Sequence, residues 1–185
     1  DNLMQKVRFR PSEKWDFQYG FQYSETSPYG RYDRHSRLKN GWPRYAEWDY
    51  GPQKWMMNNL TIIHNGGQAA YDQMTIRLAL QSFEESRIDR SLNDAQRHIR
   101  VENVEAGSVN LDFAKSVGDN NRLYYGVEYV HNDVTSTGTD EDISTGVSVP
   151  GPSRYPQATW QSAAAYINDQ HKFSDQFLVQ AGLRY

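Results

Sequence analysis

Trp15, Phe17, Tyr19, Phe21 and Tyr23 alternate with Asp16, Gln18, Gly20 and Gln22, so five aromatic rings fall on every second position. Side chains alternate between the two faces of a strand, and this spacing therefore writes one apolar and one wet face. The pattern recurs at Met74, Ile76, Leu78 and Leu80, at Val109, Leu111 and Phe113, and at Leu123, Tyr125, Val127 and Tyr129. It returns at Phe177, Val179, Ala181, Leu183 and Tyr185, with Gln180, Gly182 and Arg184 between. Blurred versions occupy Leu3 to Arg10, Lys54 to Ile63 and Trp160 to Asn168. No helix of any length is convincing.

The links between these strands come in two kinds. Residues 11–14, 65–67, 116–120 and 171–175 are short and rich in turn residues. Residues 24–53, 86–97 and 132–158 are long, charged or rich in Gly, Pro, Ser and Thr. Short turns on one side and long loops on the other are the habit of outer-membrane barrels, whereas a soluble sandwich keeps most loops short at both ends. The expected fold is all-β: an antiparallel up-and-down meander of about eight strands of an outer-membrane β-barrel, with aromatics such as Trp15, Tyr71, Tyr129, Trp160 and Tyr185 suited to interfacial girdles.

Composition agrees by exclusion. A mean hydropathy of -0.87 and the lack of any run of about 18 apolar residues exclude spanning helices, but a barrel strand dilutes hydropathy and stays open. A net charge of -3 supplies no basic field for nucleic acid. Without cysteine there is no disulfide, thiolate metal site or thiol nucleophile. Asp1 to Arg10 has no apolar signal core, which points to a start elsewhere or to an excised piece. No GxSxG, HExxH or phosphate-cradling loop is present, so no catalytic residue, metal centre or cofactor is expected.

Several stretches resemble one family. The final hairpin, Tyr166 to Phe177 running into Ala181-Gly182-Leu183-Arg184-Tyr185, is similar to barrel hairpins of TonB-dependent outer-membrane receptors, as is Leu123-Tyr124-Tyr125-Gly126-Val127-Glu128-Tyr129. Met74 to Phe83 closing on Glu84-Glu85-Ser86-Arg87, and Gly30-Arg31-Tyr32-Asp33-Arg34 continuing to Trp48-Asp49-Tyr50-Gly51-Pro52-Gln53-Lys54-Trp55, resemble the haem, haemoglobin and ferric-siderophore branch. The resemblance implies location in the bacterial outer membrane, contact with its lipid, a plug and TonB as partners, and haem or a ferric siderophore as cargo. Such receptors have about 22 strands, a plug and a TonB-contacting box. With about eight strands and neither of those parts, residues 1–185 read as an internal, partial barrel lacking the plug.

If the apolar parity faces lipid, Arg77, Gln81, Glu85, Arg87, Asp112 and Glu128 line the lumen, as a hydrated wall of paired charges or as cargo contacts. The long link 24–53 supplies Tyr29, Arg31, Tyr32, Arg34, His35, Trp42, Arg44, Trp48 and Tyr50. Rings with guanidinium groups suit a planar anionic ligand; the same residues could instead pack on one another over the barrel mouth. Among the histidines, His64 and His171 belong to the short turns as exposed residues and His131 to the lipid-side parity, leaving His35 and His98 as ligand candidates. Asp140, Glu141 and Asp142 read as a solvated acidic tip rather than a calcium loop.

Three functions compete: a receptor barrel segment importing haem or an iron-siderophore complex, a self-contained small outer-membrane barrel, and a soluble all-β ligand-binding module whose aromatic faces would pack together as a core. Enzymatic activity is not expected.

Overall fold

The computed structural model describes residues 1–185. In chain order its elements are β1 (Asn2–Phe9), β2 (Trp15–Glu25), β3 (Tyr29–Gly30), α1 (Tyr32–His35), β4 (Leu38–Lys39), β5 (Trp42–Pro43), β6 (Tyr45–Asn65), β7 (Gln73–Ser91), β8 (Gln96–Val117), β9 (Asn121–Asp142), β10 (Val147–Gly151), β11 (Ala158–Lys172) and β12 (Leu178–Arg184). The eight principal strands pair antiparallel in the order β1-β2-β6-β7-β8-β9-β11-β12, which is their order in the chain. β3 adds to β6 and β10 to β9, while β4 and β5 form a separate ribbon.

Directly paired residues share a face, so the register carries the alternation across the sheet. Tyr19, Leu60, Leu78, Val109, Tyr129 and Ala163 form one transverse row; Phe17, Ile62, Ile76, Leu111, Val127 and Ala165 form the next. The other face is polar throughout this zone. Towards the short turns the apolar face ends in a run of rings: Phe9 to Phe17 at 6.3 Å, Phe17 to Trp15 at 5.9 Å, Trp15 to His64 at 4.4 Å and His64 to Tyr71 at 5.7 Å. Phe113 at 5.5 Å from Tyr71 and Tyr125 at 5.1 Å from Phe113 continue it. Rings with polar tips at an apolar border are what a membrane interface selects.

No second layer covers either face. Only 9 of 185 residues are buried, and Trp48 and Ala114 alone among them are hydrophobic. The accessible surface is 12243 Å², against about 9,200 Å² for a compact globular chain of this mass. A sandwich core, which the soluble reading needs, does not form. β1 and β12 lie at opposite edges and do not pair with each other.

The long links are corrected most. Residues 86–97 are not an irregular loop: β7 runs on to Ser91 and β8 starts at Gln96, joined by a tight turn in which Asn93 takes φ 61. In 132–158, β9 runs to Asp142, turns at Gly146 (φ 73) and returns as β10. In 24–53, residues from Tyr45 onward already belong to β6, and α1 is a helical turn of four residues. The reason is physical. Beyond the apolar zone both faces are wetted, so these strands carry no hydrophobic period to read. β6 to β9 reach 19 to 22 residues, about twice the length a spanning strand needs.

Three single residues also differ from expectation. His64 is 9% exposed inside the aromatic run, where Tyr71 Oη lies 3.1 Å from its Nδ1, rather than in solvent. Trp160 pairs with Asn132 and stands on the polar face, because its parity is opposite to that of Gln161, which pairs with His131. Tyr129 faces Val109 within the apolar band rather than at its border.

Candidate functional site

The extensions of β6 to β9 beyond the apolar band, with the link that leads into β6, gather most of the chemistry. Trp48, 5% exposed, is the centre. Three guanidinium groups lie over its ring: Arg31 at 5.0 Å, Arg34 at 5.4 Å and Arg87 at 5.4 Å. Tyr50 meets the ring edge-on at 5.1 Å, and Tyr29 stands 5.9 Å from Tyr50. Arg31 is fully engaged, donating to Asp33 at 2.6 Å and to Tyr50 Oη at 3.1 Å. Arg34 and Arg87 are not: each has a buried Nε with no hydrogen-bond acceptor. Arg87 moreover stands directly across from Arg100, a like-charge pairing that costs stability when nothing lies between.

Of the ten residues the sequence nominated for cargo, the structure brings Tyr29, Arg31, Arg34, Trp48 and Tyr50 together. His35 is alongside, with Nε2 3.7 Å from Asp49. Tyr32 is 86% exposed on α1 and contacts none of them through a ring or ion pair. Trp42, 71% exposed, and Arg44 line a separate cleft of about 430 Å³ against the turn at Leu92 and Asn93. His98 is apart on the polar face, bonded through Nδ1 to Asp140 at 2.7 Å. Self-packing therefore holds for Trp48, while Tyr29, Tyr32 and Trp42 keep their surface free. No three His, Asp or Glu residues converge as a metal site.

The acidic tip is corrected. Asp140 accepts from His98 and from Arg100 at 3.1 Å, Glu141 lies 3.1 Å from Arg97, and Asp142 Oδ1 accepts the Ser144 amide at 2.8 Å. The carboxyl groups of Asp140 and Asp142 are held below their usual range by these bonds. Alternate parity splits the run between two faces, so the three carboxylates never converge.

On the apolar-parity side of the extension, Arg97 grips Glu47 with two bonds of 2.7 Å, with Arg90 Nε at 3.4 Å. These bonds outweigh desolvation and pull the Glu47 carboxyl from 4.5 to about 2. A depressed folded-state value stabilises the fold above pH 4.5, and that stability disappears as pH falls from there towards 2. Glu47→Gln is therefore expected to cost about 1–2 kcal/mol at pH 6, with the gap to the native protein closing by pH 2. Unfolding transitions of both proteins across that range measure it.

Nearer the turns, all six residues nominated for the lumen wall share the polar face. Arg77 pairs with Asp112, which also accepts from Tyr166 Oη at 2.6 Å. Glu128 accepts from Asn110 at 2.7 Å and from Arg184 at 2.6 Å, and Gln81 accepts from Trp55 Nε1 at 3.3 Å. Glu85 stands across from Glu102, and with Arg87 it sits above the apolar zone.

Sequence reasoning missed Arg97, Arg100, Glu47, Glu102 and Arg154. Glu102 is 7% exposed, bonded to Ser136 Oγ at 3.1 Å and 3.7 Å from Arg154. Their stretches read as loop, and only the pairing of β6 to β9 aligns them.

A meander with one apolar face, one paired-charge face, an aromatic border and no core is the wall of an outer-membrane β-barrel. The family model for the outer membrane protein beta-barrel family matches residues 69–185, and the chain belongs to that family. Its place is the bacterial outer membrane. Among solved structures, the copper transporter OprC aligns over 99% of this chain at 12% identity with TM-score 0.74. The ferric citrate transporter FecA in the unliganded form aligns over 99% at 14% identity with TM-score 0.60. The chain spans 27% and 28% of the length of those two structures. No curated protein matches the chain.

Proposed function

We propose that residues 1–185 are an internal part of the barrel of a TonB-dependent receptor that imports haem or an iron-siderophore complex. In this reading the extensions of β6 to β9 and the links at 24–53 and 132–158 stand outside the cell and meet cargo. The polar face lines the lumen and holds a plug, and TonB energises the complete receptor. The observation that carries the proposal is the group at Trp48: a ring platform with two acceptorless guanidinium groups, Arg34 and Arg87, fits a flat ligand bearing carboxylates or phenolates. The transport function of OprC and FecA, which share this wall geometry, supports the class of activity. The unpaired edges of β1 and β12, and the quarter share of those structures, support a segment over a self-contained small barrel.

Equilibrium titration of the full-length receptor in detergent tests it, using haemin, a ferric catecholate and neutral cobalamin as probes. Saturable binding of an anionic iron complex that weakens with salt is the expected result. Tight binding of cobalamin alone, or of none of the three, overturns the cargo assignment and leaves the barrel class intact.

A further inference from the structure

On the apolar face the transition from grease to polarity is written in three successive rows. The last fully apolar row is Leu60, Leu78, Val109 and Tyr129; next comes Asn58, Leu80, Gly107 and His131; then Met56, Ser82, Glu105 and Asp133. Rows on one face are separated by about 7 Å along the strand. At the second and third rows the face is hollowed into a groove of about 510 Å³. Gly107 makes it: a Cβ there would find only Leu80 Cδ2, at 3.5 Å, and open space otherwise.

The groove is unusual in its charge. Glu105 and Asp133 stand directly opposite each other, an arrangement that costs stability unless a cation relieves it. Neither takes part in an ion pair with the protein. Glu105 accepts only from Ser82 Oγ at 2.6 Å, and Asp133 from Thr159 Oγ1 at 3.5 Å. The lysine of the next row, Lys54, is already held by Glu84 at 3.0 Å. One row deeper the groove offers donors instead. Asn58 uses its Oδ1 to accept from Tyr19 Oη at 2.7 Å, which leaves its amide N–H groups free, and His131 supplies a ring N–H.

We infer that this groove binds a membrane lipid with a phosphoethanolamine headgroup. From the membrane centre outward such a lipid presents acyl chain, phosphate and primary ammonium. The face presents, in the same order, the apolar row with Leu80, the donors Asn58 and His131, and the carboxylates Glu105 and Asp133. An ammonium with three N–H donors relieves both carboxylates at once. A glycerol headgroup brings no positive charge, and a trimethylammonium headgroup donates no hydrogen bond. The inference depends on the apolar face meeting lipid and is independent of cargo.

The test is native mass spectrometry of the full-length protein, stripped of lipid in detergent and titrated with phosphatidylethanolamine, phosphatidylcholine and phosphatidylglycerol. Retention of the ethanolamine lipid should exceed that of the other two about five- to tenfold, the equivalent of one to two hydrogen-bonded ion pairs. The isosteric E105Q/D133N variant should reduce the ratio to about one, and Gly107→Leu, which fills the groove without touching charge, should do the same. Because the readout is a ratio between lipids on the same folded protein, loss of yield does not imitate loss of preference. Equal retention of the three lipids, a preference that survives both variants, or retention of the glycerol lipid that needs added magnesium overturns the inference. The last outcome would mean a bridging cation in place of the ammonium.

Discussion

Arg34→Gln combined with Arg87→Gln is expected to weaken binding of an anionic iron complex by the full-length receptor at least about a hundredfold, since hydrogen bonds to charged groups contribute about 1.5–3 kcal/mol each. The argument starts from what these side chains lack. Both lie over Trp48 and both have a buried Nε without an acceptor, so neither is spent on the fold. Arg31, by contrast, is committed to Asp33 and Tyr50. Removing the two free charges also relaxes the repulsion between Arg87 and Arg100, so stability should hold or rise while affinity falls. Binding of a neutral complex should change little, and the salt dependence of anion binding should flatten. Titrations of native and variant receptor at two ionic strengths measure both effects. Unchanged affinity in the double variant would remove the Trp48 platform from cargo recognition.

The second large effect concerns the two faces. Leu78 stands in the apolar row between Leu60 and Val109, and is itself 37% exposed with nothing of the protein over it. Leu78→Arg should destabilise the barrel in bilayers by about 2–4 kcal/mol, the cost of a cation near the bilayer midplane. Ala79, one residue along, faces the polar side between Asn59 and Ser108. Ala79→Arg should cost less than about 1 kcal/mol, because water and neighbouring polar groups reach it. Denaturant titrations of both variants refolded in lipid vesicles compare the two, and equal costs would mean that the apolar face does not meet lipid.

How far the site was readable follows from the same distinction. Tyr29, Arg31, Arg34, Trp48 and Tyr50 could be nominated because aromatics and arginines crowd one link. Arg87 could be placed on the polar face by parity alone. Their meeting could not be read, because Arg87 is brought to Trp48 by bulges in the pairing of β6 and β7 between Tyr45 and Glu47 and between Tyr50 and Gln53. Tyr32, Trp42 and His98 share the composition of the cluster and lie outside it.

Where one face is apolar, the amino-acid order by itself determined strand, parity, register and membrane class, since a slip of one residue would turn every apolar side chain to the wet side. Tertiary structure alone decided what lies beyond the apolar band: the continuation of β7, β8 and β9 through stretches that look like loops, the partition of Asp140, Glu141 and Asp142 between two faces, and the assembly around Trp48. There both faces meet water. Hydrogen-bonded pairing to a neighbouring strand, rather than hydrophobic burial, is what makes those residues a sheet, and pairing is a property of two segments that neither carries alone.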